Sequence, residues 1–86
     1  MKSEEETRAL AAAERALRSL TGPGLVDFQS VEPAAWPDTS MGWPEPGKLY
    51  AQMLTEGYRI TALSGGKLYE CRVSGDNARC RVIKGG

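Results

Sequence analysis

The chain is 86 residues long, 41% hydrophobic and 26% charged, with eleven basic residues, eleven acidic residues, two cysteines and no histidine. This is the composition of one ordinary globular domain, near the lower size limit for a single hydrophobic core. Lack of histidine excludes histidine-based triads and histidine-ligated metal sites, and two thiols fall short of the roughly four ligands of a closed zinc site.

The opening MKSEEETR is charged and has no apolar stretch, so it does not read as a signal peptide, although a leader removed upstream would leave the same start. No apolar run approaches the roughly 18 to 20 residues of a membrane span. Residues 3–20 read as a helix. Ser3 and Glu6 have the spacing of a capping box, and Glu4, Glu5 and Glu6 lie against the positive end of the helix dipole. Leu10, Ala13, Leu17 and Leu20 form one narrow apolar stripe, rich enough in alanine nearby to suit close packing on a flat sheet. Gly22 and Pro23 end the helix.

LVDFQSVE, residues 25–32, reads as a first strand, with a bulge near Ser30 to reconcile Val26 and Phe28 with Val31. Pro33 to Gly47 holds four of the five prolines and is expected to leave regular pairing. From Lys48 the pattern is a meander over 48–83: KLYAQMLT, YRITAL, KLYECRVS and ARCRVI, separated by EG, SGG and SGDN turns. A Gly65-Gly66 turn sets Ile60 opposite Cys71 and Tyr58 opposite Val73. A Gly75-Asp76 turn sets Cys71 opposite Cys80, and a Glu56-Gly57 turn sets Met53 opposite Ile60. One face then collects Leu49, Ala51, Met53, Tyr58, Ile60, Ala62, Tyr69, Cys71, Val73, Ala78, Cys80 and Val82 as the core. The expected fold is α+β: one N-terminal helix packed on an antiparallel, four- to five-stranded meander sheet, the whole chain 1–86 forming a single domain.

In this register Cys71 and Cys80 occupy a non-hydrogen-bonded pair, close enough for a cross-strand disulfide. A structural bridge is the favoured reading; two reduced, buried thiols packing as small hydrophobes are the alternative. On the opposite face Arg59 stands across from Arg72 and Arg72 across from Arg79, with Arg81 beside them and opposite Glu70. Like charges facing one another are destabilising. Either the arginines fan into water, or Asp38 and Glu45 fold over to pair with them, or the row is an anion- or nucleic-acid-binding surface. The charge asymmetry is consistent with each: residues 1–46 hold eight acids and four bases, and residues 47–86 three acids and seven bases.

WPDTSMGWPEPG, residues 36–47, combines both tryptophans with three prolines. Its WPD triplet alone could suggest a phosphatase acid loop, but neither cysteine opens a phosphate-cradling loop closed by an arginine. The longer stretch WPDTSMGWPEPGKLYAQMLTEGYRI, followed by GGKLYE, resembles a small bacterial domain family with the pattern WPDxSLGCPxPGxxYxQxxxxGYxIxLxxGGxxYxY. The resemblance runs from Trp36 to about Glu70. It implies a mostly exported protein without an assigned biochemical function, and a helix on an antiparallel sheet, in outline like cystatin or PepSY domains. Trp43 stands where the family often has cysteine, and Glu56 where it often has proline, so a family bridge through position 43 is absent and Cys71–Cys80 would be a local substitute.

The loop is thus expected to be ordered, with Trp36 plugging the open end between helix and sheet. Trp36, Asp38, Trp43 and Glu45 form the candidate binding loop, Trp43 being the exposed aromatic anchor of a recognition surface. The function expected is a noncatalytic binding or inhibitor-like module with an unidentified protein partner. An anionic ligand on Arg59, Arg72, Arg79 and Arg81 is the second reading. No enzyme activity, cofactor or metal is expected, because Asp38 and Glu45 lack the partner group that acid–base catalysis needs. Tyr50, Leu54, Leu63 and Leu68 on the outer face equally suit a homodimer. A disulfide points to the periplasm or exterior once a leader is removed; without one, the chain is cytoplasmic.

Overall fold

A computed structural model describes residues 3–84; residues 1–2 and 85–86, the ends of the expected domain, lie outside the described residues. One helix, α1 (Glu4–Thr21), precedes four strands, β1 (Asp27–Trp36), β2 (Thr55–Ser64), β3 (Lys67–Ser74) and β4 (Asn77–Lys84), in one antiparallel sheet of order β1-β2-β3-β4. No helix among the described residues is long and apolar enough to cross a membrane.

The helix begins where its capping chemistry places it. Ser3 accepts a hydrogen bond from the Glu6 amide at 3.1 Å, and three glutamates occupy the first turn. Gly22, at φ 85°, ends it by donating its amide to the Arg18 carbonyl at 2.7 Å, in a conformation that favours glycine. The helix meets the sheet through Ala9, Ala12, Ala13 and Leu17, all buried. This face is rotated from the expected stripe: Leu10 is half-buried and Leu20 is 58% exposed. Three alanines at the contact let the helix approach closely, chiefly over β4 and less over β3 and β2. Ile60, Cys71, Val73, Ala62 and Tyr69 supply the sheet side of the core, with Phe28, Val31 and Tyr58 at its margin.

The two glycine turns set the registers they were expected to set. Ile60 pairs with Cys71, Tyr58 with Val73, and Leu63 with Leu68; Cys71 pairs with Cys80 and Val73 with Ala78. The bulge on β1 falls between Phe28 and Ser30. Ser30 and Thr61 exchange a hydroxyl hydrogen bond there, 2.6 Å long.

The free side of β2 is filled differently from expectation. KLYAQMLT forms no strand; residues 48–54 are irregular, and Leu49, Ala51 and Met53 are exposed rather than part of the core. Instead β1 continues through Pro33 to Trp36 and pairs with β2 as far as Thr55. Proline is tolerated because β1 is an edge strand, with one row of backbone donors facing away from the ladder. Glu56-Gly57 is not a turn but part of β2. Gly57 is not among the positive-φ glycines; its role is close approach, since a Cβ there would overlap the Val73 carbonyl of β3. Glu56 extends the contact by accepting the Ser74 hydroxyl at 2.8 Å. Val82, expected in the core, is 52% exposed.

Candidate functional site

Residues 37–54 connect β1 to β2 and cross back over the sheet face opposite the helix. Two arginines that share one cross-strand pair, Arg72 of β3 and Arg79 of β4, hold this loop down. Arg72 donates from Nη1 to the Met41 carbonyl at 2.7 Å and from Nε to Glu70 Oε2 at 2.8 Å. Arg79 donates from Nη1 to the carbonyls of Trp43 (2.5 Å) and Ser40 (3.3 Å), and from Nη2 to Glu45 Oε1 at 2.9 Å. The Arg72 guanidinium lies over the Trp43 ring, 4.1 Å from its centroid, and that of Arg81 lies over the same ring at 4.7 Å. Planar guanidinium groups suit both tasks, forked donation and stacking on an aromatic face.

Local chemistry shapes the loop to receive them. Asp38 Oδ1 accepts from the Ser40 amide at 2.9 Å and from its hydroxyl at 2.5 Å, an Asx turn that starts the reversal. Met41 adopts φ 56° and Gly42 φ 78°. The left-handed region is unfavourable for methionine by roughly 1–2 kcal/mol. It persists here because Met41 is 2% exposed and its carbonyl is held by Arg72. Gly42 must be glycine for a second reason: a Cβ would come within 2.6 Å of Arg72 Nη1. Further along, Tyr50 accepts the Glu45 amide on its hydroxyl at 3.0 Å, and Thr39 and Ala51 exchange two hydrogen bonds. These contacts tie the loop to itself and to the sheet.

The candidate residues separate into groups. Trp36, Trp43, Glu45, Arg72, Arg79 and Arg81 converge under the loop. Trp36 ends β1 on this outer face, 6.0 Å from the Arg72 guanidinium, and does not plug the gap between helix and sheet. Trp43 is half-buried against two cations instead of standing free as an anchor. Of the two acids expected to fold over the arginine row, Glu45 does so and Asp38 is engaged with Ser40. Arg59 lies apart, paired with Glu32 at 3.0 Å on the exposed surface. The disulfide Cys71–Cys80 is present, on the core face, with Cα atoms 4.0 Å apart.

Ser40, Met41 and Glu70, which sequence reasoning did not single out, complete the arrangement. Asp38-Thr39-Ser40 carried the Asx-turn signal and Gly42 the positive-φ signal, but neither pointed to the partner thirty residues away.

Glu45 is held below the usual carboxylate range by the hydrogen bond from Lys48 first, then by the Lys48 charge, with Arg79 and Arg81 adding to it. Its folded pKa being depressed, the stability it contributes is present above the ordinary glutamate value and is lost as pH falls through the lowered folded one. Lys48 is raised by the same hydrogen bond, so its share is present below the ordinary lysine value and disappears as pH rises through the raised one. The carboxylate is exposed and the effect is small. Tryptophan emission followed from neutral pH into acid should report loosening of the loop below the ordinary glutamate range, and Glu45→Gln should flatten that part of the curve. An identical curve for the variant would remove Glu45 from the anchoring.

Residues 8–82 match a protein family described as a domain of unknown function (DUF8738). No curated protein and no solved structure matches the chain.

Proposed function

The chain belongs to this domain family, whose match spans most of its length, and for this member we propose a noncatalytic protein-binding module that works outside the cytoplasm and presents the 37–54 loop. The observation that carries the reading is the division of labour within that loop. Its underside is fixed to the sheet by Arg72 and Arg79, while its rim exposes Leu49 (100%), Met53 and Leu54. Single exposed apolar residues are ordinary, but three within six residues on a restrained segment form a patch suited to association. A loop already ordered in the free protein also loses little further conformational freedom on binding. The Cys71–Cys80 bridge supports an oxidising compartment.

Anion binding by the arginine row has less support. Arg59, Arg72 and Arg79 are each paired with a carboxylate, which leaves Arg81. Salt separates the two readings: phosphate-driven binding weakens steeply with ionic strength and binding through an apolar rim does not.

The test is comparative retention of proteins from a native-source extracytoplasmic extract on the immobilised wild type and on Leu49→Asp/Leu54→Asp. Burying two such leucines contributes roughly 1.5–3 kcal/mol each, so the variant should lose a retained partner at least about tenfold. Its thermal midpoint should be unchanged, because neither side chain is buried in the fold. Equal retention by both proteins would sink the loop as the binding surface.

A further inference from the structure

β4 is a sheet edge, with β3 on one side and no strand on the other. Its backbone polarity can be read from the disulfide. Cys71 and Cys80 face each other with Cα atoms 4.0 Å apart, the short spacing of a pair that exchanges no ladder hydrogen bonds. Residues of such pairs turn their N–H and C=O away from the partner strand. The backbone groups of Ala78, Cys80 and Val82 therefore aim at the free edge, while those of Arg79 and Arg81 face β3. Among the described residues no loop or helix backbone takes up the outward groups.

The two edges of the sheet are not alike. β1 carries Pro33 and a bulge, both of which discourage the addition of another strand. Over Asn77–Val82, β4 has neither; its register irregularity lies beyond, opposite Leu68 and Tyr69. A cleft of about 450 Å³ also follows this edge, with β4 residues 78–81 as its floor, Ser19 and Leu20 of the helix on one wall, and Trp43 and the Arg79-paired Glu45 on the other.

Charge selects the occupant. Arg79 and Arg81 stand on the outer face of β4, and no carboxylate of the described residues lies within 4.0 Å of the Arg81 guanidinium. A second copy joined antiparallel about Cys80 would set Arg79 of each chain against Arg81 of the other, which is destabilising. Arg79 is already paired with Glu45, so a strand with an acid opposite Arg81 would gain its cross-strand pair there. On the helix side, Ala78, Val82 and the exposed Leu20 offer apolar contacts. We propose that the free edge of β4 docks an extended segment of another protein, alternating acidic and apolar residues, as a fifth strand of the sheet. Main-chain hydrogen bonds would supply affinity and the alternation would supply specificity. The site goes beyond the binding reading above, because it uses neither Leu49 nor Leu54.

The probe is a capped peptide alternating glutamate and valine, as long as the eight residues of β4, titrated into the isotope-labelled full chain while amide exchange is followed. Exchange at Ala78, Cys80 and Val82 should slow by about tenfold or more, with Arg79 and Arg81 unchanged. A peptide alternating lysine and valine should bind about tenfold more weakly, and N-methylation of the amides facing β4 should abolish binding. Arg81→Gln should weaken the glutamate peptide about threefold, the share of one cross-strand charge pair. Leu49→Asp/Leu54→Asp should bind it as the wild type does, so that failure of the rim and failure of the edge are told apart. Saturating peptide without protection at the three amides would overturn the proposal. So would equal protection by the lysine peptide, or protection that appears with protein concentration alone, which would make a second copy the occupant.

Discussion

Arg72→Ala is expected to lower the unfolding free energy by about 3 kcal/mol and to free the 37–54 loop while the helix and sheet remain. The guanidinium sits mostly out of water, with its side chain 18% exposed and that of its partner Glu70 16% exposed. Hydrogen bonds to charged groups at such sites contribute about 1.5–3 kcal/mol, and removing one member of a buried pair leaves the other uncompensated, at about 3–5 kcal/mol. Glu70 would lose its ion-pair partner, the Met41 carbonyl its donor, and Trp43 one of the two cations over its ring. Partial water access for Glu70 keeps the estimate at the lower end of that range. Arg59→Ala is the control. It lies directly across from Arg72 in the sheet and is also ion-paired, but at 51% and 55% side-chain exposure. Exposed pairs contribute about 0–1 kcal/mol. Urea unfolding followed by tryptophan emission should therefore separate the two variants by about 2 kcal/mol or more, and only Arg72→Ala should alter emission of the native state. Equal stabilities would mean that the loop rests on the sheet without being held by it.

The contrast between these arginines shows where the sequence stops informing. Local signals carried the fold well. The Ser3 cap, the two glycine turns, the bulge at Ser30 and the cysteine pair each depend on residues close along the chain or on a register that a short turn imposes. The free edge of β2 was different. The strand expected at 25–32 stops before Pro33, and KLYAQMLT with a Glu56-Gly57 turn is expected to pair with β2 instead. The structure chooses β1, because an edge position accommodates Pro33 and because Gly57 belongs inside β2, against Val73, and not in a turn.

The site was legible as a problem more than as a solution. Three arginines in a row need compensation on physical grounds, and Glu45 was one of two acids that could supply it. Glu32, Glu70 and Glu45 each pair with one arginine of the row, and the backbone carbonyls of Ser40, Met41 and Trp43 complete the compensation of Arg72 and Arg79. Every residue, proline included, offers a backbone carbonyl, so no composition or spacing marks these three. They are selected by the loop's path, to which the Asx turn at Asp38 and the left-handed Met41-Gly42 pair contribute.

Removing the disulfide should cost a comparable amount of stability and leave a different signature. The bridge spans nine residues in sequence, and for a closed loop of this size the chain-entropy relation gives about 2.5 kcal/mol. Cys71→Ala/Cys80→Ala also removes sulfur packed against the helix: Cys71 is fully buried and Cys80 borders both core clusters. The loss should accordingly be about 3 kcal/mol. Native emission should nonetheless be unchanged. The cysteines point into the core, whereas their chain neighbours Arg72 and Arg79 point outward and are also paired by the β3–β4 ladder and its Gly75-Asp76 turn. With that ladder intact, both guanidinium groups keep their place under Trp43. The bridge thus acts mainly on the unfolded chain and the arginines on the folded loop, so equilibrium unfolding and native-state emission together distinguish a staple from a clamp. If the double alanine variant shifts native emission as Arg72→Ala does, the two faces of the β3–β4 hairpin are coupled, and the loop senses the redox state of the cysteines beneath it.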